Sequence, residues 1–247
     1  DESSAAAWMH ARQLWPELDL GDSPDPVLPW MRKVRPVVET GWENTVLVRV
    51  LATHTGDEAE LAQRVLTHWQ QLRDKVVQEL KLVPAKLIQE YGEVRDTWIA
   101  EDRAAWIRRT RPYNGVVKVL LKMMKHGSEV FVITTKQRRF CQALLTDFGI
   151  SIAETQLFGL EDGPKTGVLR DLVKRPELQG RRFHFIEDKL STLEKVAADP
   201  ELNMVKLHLV DWGYNTEAQR EIVASGSKAR ISMLTKENLA NSSHWTS

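Results

Sequence analysis

The stretch Glu129-Val130-Phe131-Val132-Ile133-Thr134-Thr135-Lys136-Gln137-Arg138-Arg139-Phe140 constrains the fold more than any other. Val130 to Ile133 are continuously apolar and mostly β-branched, the pattern of a short strand buried on both faces of a parallel sheet. Two hydroxyls follow at once, then a basic segment that starts a helix. In open α/β sheets, ligands bind just beyond the carboxyl ends of the strands. Thr134 and Thr135 therefore stand where a small anion would meet the first N–H groups of a helix. Taken by itself, Thr135 reads equally well as a plain helix cap.

The rest of the chain supplies the context. Its 247 residues are enough for a large core, or for a core with a smaller appended domain. Lys and Arg number 34, as do Asp and Glu, so no whole-chain field favours nucleic acid or an anionic membrane surface. The single cysteine, Cys141, excludes an intrachain disulfide framework and a cysteine-built zinc site. No apolar run approaches the ~20 residues that span a bilayer. The expectation is a soluble intracellular protein, in the cytoplasm or a plastid stroma, without a nucleic-acid or membrane partner. The sequence is silent on oligomeric state.

Residues 1–111 read as an all-helical domain and residues 112–247 as an α/β domain. In the first part, Ala5 to Trp15 forms a helix stopped by Pro16, and apolar faces recur over Trp30 to Pro36 and Trp42 to Ala52. Asp57 is placed to cap the clearest amphipathic helix, in which Leu61, Val65, Trp69, Leu72, Val76 and Leu80 share one face. Pro84 opens a helix expected to end near Tyr91, with another over Val94 to Arg109. Beyond Arg111-Pro112-Tyr113-Asn114-Gly115, strands and helices alternate: strands end at Thr134 and near Phe158, and others run over Phe183 to Ile186, Met204 to Val210 and Arg230 to Leu234. That alternation is the grammar of a doubly wound parallel sheet.

Three groups fall at strand or loop ends: Thr134, Lys165 at a helix start, and Glu187-Asp188 after a strand. A hydroxyl, an ammonium and a pair of carboxylates at one sheet edge are what phosphoryl chemistry needs. They supply a donor to a phosphoryl oxygen, a cation for developing charge and hard oxygen ligands for Mg2+. Each alone has an ordinary reading as cap, solvated lysine or helix-start acid. Gly163-Pro164-Lys165-Thr166 is not a P-loop, because that motif needs glycine rather than proline directly before the lysine.

In this order and spacing the residues resemble the haloacid dehalogenase (HAD) superfamily. Val132-Ile133-Thr134-Thr135-Lys136 resembles its second motif, Lys165 its third-motif lysine, and Phe185-Ile186-Glu187-Asp188 its fourth motif. The resemblance implies a Rossmann-like HAD core, with the helical part as a C1-type cap and Arg111 to Val116 as the return from cap to core. The phrases Arg35-Pro36-Val37-Val38-Glu39-Thr40-Gly41-Trp42-Glu43-Asn44 and Asp211-Trp212-Gly213-Tyr214 are similar to a branch found in plants, algae and cyanobacteria.

The activity so implied is Mg2+-dependent hydrolysis, by a phosphatase acting on a small phosphorylated metabolite through an aspartyl-phosphate. Thr134 and Lys165 would be catalytic, and Asp188 with Glu187 would hold Mg2+. Thr135, Lys136 and Arg138 are candidate phosphate contacts, and Glu194 is a further acidic candidate. Arg35, Glu39, Trp42 and Asn44 are read either as a substrate-facing set or as a packed helix junction. One departure stands out: no Asp-x-Asp follows an apolar strand anywhere in the sequence. In the family that motif carries the nucleophile. The expectation is a chain truncated just downstream of it, inactive by itself. The alternative is a non-catalytic HAD-like protein-binding module that uses the tryptophan-rich helical surface.

Overall fold

A computed structural model describes residues 1–241. It divides into two compact units, Asp1–Arg111 and Pro112–Ser247.

Among the described residues the first unit is built only of helices: α1 (Glu2–Leu14), α2 (Leu28–Val34), α3 (Glu43–Ala52), α4 (Glu58–Glu79) and α5 (Pro84–Arg108). Helix α1 packs against α3 and α5, and its Ala5, Ala6, Ala7 and Ala11 are all fully buried. Alanine loses no side-chain entropy in a helix and lets the neighbouring backbones approach closely. Asp57 caps α4 by accepting from the Glu60 N–H at 2.8 Å. Glu43, 1 % exposed, accepts from Trp69 Nε1 at 2.8 Å and from the Thr40 hydroxyl at 2.8 Å. With Asn44 fully buried and its Nδ2 donating to Gly41 O at 2.8 Å, the segment around Trp42 is built as a packed helix junction.

One boundary differs from the sequence reading. Gly92 does not interrupt α5. Glycine costs a helix interior only about 1 kcal/mol relative to alanine, and Tyr91, Val94, Arg95 and Trp98 are all buried along this helix. The break falls instead at Asp102 (φ −149°, ψ 79°), whose carboxylate caps the last turns through the Ala105 N–H at 2.8 Å.

The second unit alternates α6 (Val116–Lys125), β1 (Val132–Ile133), α7 (Arg138–Asp147), β2 (Leu157–Phe158), α8 (Lys165–Lys174), β3 (Phe183–Glu187), α9 (Leu190–Ala197), β4 (Val205–Val210), α10 (Glu217–Ala224), β5 (Ile231–Leu234) and α11 (Lys236–Ala240). Every strand pairing is parallel, as the α/β reading requires. Among the described residues the strands form two sheets, β1-β2 and β3-β4-β5. Each of β1 and β3 thus pairs along one side only.

The first strand is shorter than its apolar run, and Val130 to Thr134 are half-buried rather than enclosed on both faces. Its residues alternate nonetheless. Val130 and Val132 pack, as do Val117, Leu120 and Met124 of α6, against the buried cluster of Ile150, Ile152 and Leu157, while Phe131 and Ile133 pack with Val168 and Leu172 of α8. Both helices also reach the other sheet: Leu169 of α8 joins Phe185, Leu207 and Leu209, and Val116 and Val119 of α6 meet Val210 and Leu234. One helix on each face therefore ties the two sheets into one α/β layer structure.

Candidate active site

Lys165 is the first residue of α8 and Glu187 the last of β3. The Lys165 ammonium contacts Glu187 Oε2 directly. The other oxygen, Oε1, accepts from the N–H groups of Asp188 and Lys189, both at 3.2 Å, so the carboxylate also organises the entry into α9. Glu187 is 8 % exposed. Burial raises its carboxyl above the usual value, and the neighbouring Asp188 adds to the rise, while Lys165 works against both.

Asp188 is half-buried and held from a distant loop. Its Oδ2 accepts from the Tyr214 N–H at 2.9 Å, and its carbonyl accepts from Asn215 Nδ2 at 3.1 Å. Asn215 is itself 7 % exposed and also donates to Val210 O at 3.0 Å, while Arg220 Nη1 donates to its Oδ1 at 2.8 Å. Gly213, Tyr214 and Asn215 thus form the cradle of this aspartate. In the sequence Asp211 to Tyr214 stand out only as a family phrase, and their positioning role emerges from the fold. The available signal was a glycine and an amide side chain directly after the end of a strand, where α/β sheets build their sites.

Thr134 follows the carboxyl end of β1. Its N–H donates to Phe158 O at 2.9 Å, and its hydroxyl accepts from the Lys136 N–H at 3.1 Å. That local turn fixes the hydroxyl oxygen, and a hydroxyl that accepts one bond still has a proton to donate. Thr135 is exposed and does not cap the next helix: Gln137 holds the N-cap position of α7, without a side-chain cap. Lys136 O accepts from the Leu160 N–H at 3.0 Å, which joins the loop after β1 to the loop after β2. The second of those loops runs on into Lys165.

Arg138 is committed elsewhere. Its guanidinium pairs with Asp162, which holds the Asp162 carboxyl below the ordinary range, and Asp162 also accepts from the Gly159 N–H at 2.7 Å. Glu194 pairs with Lys228 Nζ at 2.6 Å. The structure therefore brings Lys165, Glu187 and Asp188 together, sets Thr134 at a strand end joined through the β2 loop to Lys165, and engages Arg138 and Glu194 with other partners.

Glu187 and Asp188 are oxygen-only donors, the chemistry suited to a hard cation, and the Lys165 ammonium already occupies one oxygen of Glu187. Among the described residues no cluster of three or more His, Cys, Asp or Glu side chains is disposed to hold a metal ion. Two carboxylates suffice for Mg2+, which usually keeps several waters and substrate oxygens.

Comparison with family models matches residues 54–196 to the haloacid dehalogenase-like hydrolases, more than half of the chain. The chain belongs to this family. Searches of curated proteins and of solved structures return no match. The residues matched to the HAD-like hydrolase family run from the helical unit through Thr134 and Lys165 to α9. The parallel α/β unit is the fold that membership implies. Among the described residues no helix is long and apolar enough to cross a membrane.

Proposed function

We propose that this HAD-like hydrolase is a Mg2+-dependent phosphatase acting on a small phosphorylated metabolite. The observation that supports this most is the Lys165 ammonium seated on the buried Glu187 carboxylate, directly beside Asp188. In this reading Asp188 and Glu187 hold the cation, which neutralises charge on the phosphate when bound. The Thr134 hydroxyl donates to a phosphoryl oxygen. Lys165 is held in place by Glu187 and stabilises negative charge as it develops on the transferring group. Preorganised donors of this kind need no rearrangement during the reaction.

Covalent phosphoryl transfer also needs an activated nucleophile. We assign it to an aspartate outside these 247 residues, carried on a strand between β1 and β3. The two helices that tie the half-sheets together, and the unpaired sides of β1 and β3, support this assignment. The aspartate oxygen would bond to phosphorus as the ester P–O bond breaks and the leaving alcohol takes up a proton. Water would then cleave the aspartyl-phosphate, returning the carboxylate and releasing inorganic phosphate. The helical unit would act as the cap that selects the metabolite.

The test is an aryl phosphate assay with Mg2+. It compares the 247 residues alone with the same residues extended before Asp1 by whatever the gene encodes there. The extended protein should turn over, and Lys165→Met and Asp188→Asn should each remove most of its activity. Equal turnover by the short and extended proteins would place the nucleophile within these residues and overturn the assignment.

A further inference from the structure

Lys136 stands between the two loops that carry Thr134 and Lys165. Its N–H donates to the Thr134 hydroxyl at 3.1 Å, and its carbonyl accepts from the Leu160 N–H at 3.0 Å. The residue that orients the threonine is thus itself held by the loop after β2. Two acids of that loop close on Arg138. Glu161 Oε2 accepts from the Arg138 N–H at 3.1 Å, while Asp162 takes the Arg138 guanidinium and, through Oδ2, the Gly159 N–H at 2.7 Å. The approach is tight. A Cβ at position 159 would lie 2.5 Å from Arg138 N and 2.8 Å from its Cα, so glycine is what lets the two backbones meet here.

From Asp162 only Gly163 and Pro164 lead to Lys165. The proline ring holds φ at −69°, so few torsions separate this latch from the lysine. Helix α8 has no side-chain cap at its start. Its first turn therefore takes its position from the loop and from the burial of Val168, Leu169 and Leu172 farther along. A lone ion pair as exposed as Arg138–Asp162 contributes little. Here it closes a set of hydrogen bonds between the same two loops, and bonded sets of this kind can be worth more than their separate members.

We infer that Arg138 and Asp162 are positioning residues, whose ion pair locks the loop after β2 onto the turn after β1 and so keeps Lys165 on Glu187 and the Thr134 hydroxyl in its orientation. The catalytic meaning of this latch rests on the phosphatase reading of Thr134 and Lys165. The experiment acylates the 247-residue chain with N-hydroxysuccinimidyl acetate and follows Lys165 and Lys174, at the two ends of α8, by peptide mass spectrometry. Arg138→Gln and Asp162→Asn should each raise the Lys165 rate about fivefold, the upper range for a partly exposed ion pair, and leave Lys174 unchanged. The two variants alter local charge in opposite senses, so a rise in both reports release of the lysine rather than a changed field at its amine. In an active extended protein each variant should lower kcat about fivefold with KM little changed. A Lys165 rate that stays at its original value in either variant, or a rise shared by Lys174, would overturn the proposal and mean that the core of α8 holds the lysine unaided. The expected rise at Lys165, with an extended protein that turns nothing over, would uphold the positioning and defeat the phosphatase reading alone.

Discussion

Gly213 is the space that lets Asp188 sit where it does. A Cβ at position 213 would lie 2.7 Å from both Cβ and Oδ2 of Asp188, closer than real Cβ atoms come. The residue also has φ of +95°, a conformation glycine adopts freely and other residues resist. Gly213→Ala should therefore displace the aspartate and destabilise the protein by about 1–3 kcal/mol. Urea unfolding checks the stability, and in an active extended protein the Mg2+ concentration for half-maximal rate should rise. If both stay at their original values, the loop after β4 yields freely and the cradle is not rigid.

The Glu187 carboxyl should leave a mark on pH dependence. Its folded-state pKa is raised, chiefly by burial. A group of this kind contributes stability that is fully present below the unfolded pKa and is lost as pH rises through the folded one. The wild-type protein should therefore lose stability relative to Glu187→Gln as pH climbs from about 4.5 upward. Because the substitution also removes the partner of Lys165, the slope of the difference is diagnostic and its absolute level is not. Urea denaturation of both proteins between roughly pH 4 and pH 8 gives that slope. A flat or rising difference would mean that Lys165 outweighs burial at this carboxylate.

Local signals carried most of the element assignments. The step from strand to helix after Thr134 and the run of Phe183 to Glu187 follow from short-range patterns. At α10, Thr216 and Gln219 form a capping box that marks the helix start. What stayed hidden was set by residues far apart in sequence. The length of β1 depends on β2, which pairs with only Val132 and Ile133, and an apolar run cannot report how many of its residues find a partner. The continuity of α5 through Gly92 depends on the side chains buried on either side of it, and propensity cannot weigh that. Arg138 looked like a phosphate contact because Asp162, its actual partner, lies 24 residues on. The cradle of Asp188 is likewise non-local, with Tyr214 following 26 residues later. Residue types at strand ends were legible, whereas the side chains that hold them were not.

The helical unit is anchored by a buried ion pair. Arg95 Nε donates to Glu2 Oε1 at 2.6 Å, Trp106 Nε1 donates to the same oxygen at 3.0 Å, and Arg95 Nη2 reaches the Tyr91 hydroxyl at 2.9 Å. Glu2 and Arg95 are each 3 % exposed. Glu2→Gln leaves the guanidinium buried with its main counter-charge gone, at an expected cost of about 3–5 kcal/mol. Replacing both residues, as Glu2→Met with Arg95→Met, should recover much of that loss, since a dry apolar pair avoids the desolvation that the ions suffer. Unfolding curves for the single and double variants decide it. A double variant no more stable than Glu2→Gln would show that hydrogen bonds to Trp106 and Tyr91, rather than charge, hold this corner.

The unpaired sides of β1 and β3 make the last expectation one of association. Among the described residues each strand pairs along one side only, so each offers a row of backbone donors and acceptors to any chain that can lie alongside. Ile186, the penultimate residue of β3, is 38 % exposed and adds apolar surface next to that row. At high concentration the 247-residue chain should self-associate, with light scattering rising more steeply than in proportion to concentration. Natural edge strands suppress such pairing with charge, lysine above all. Ile186→Lys should therefore lower the scattering markedly, while shifting stability by no more than about 0.5 kcal/mol, as surface substitutions generally do. Adding the residues encoded before Asp1 should suppress association as well, if they supply a strand between β1 and β3. A chain that stays monomeric without either change would mean that its edges are covered in solution and that no strand is needed there.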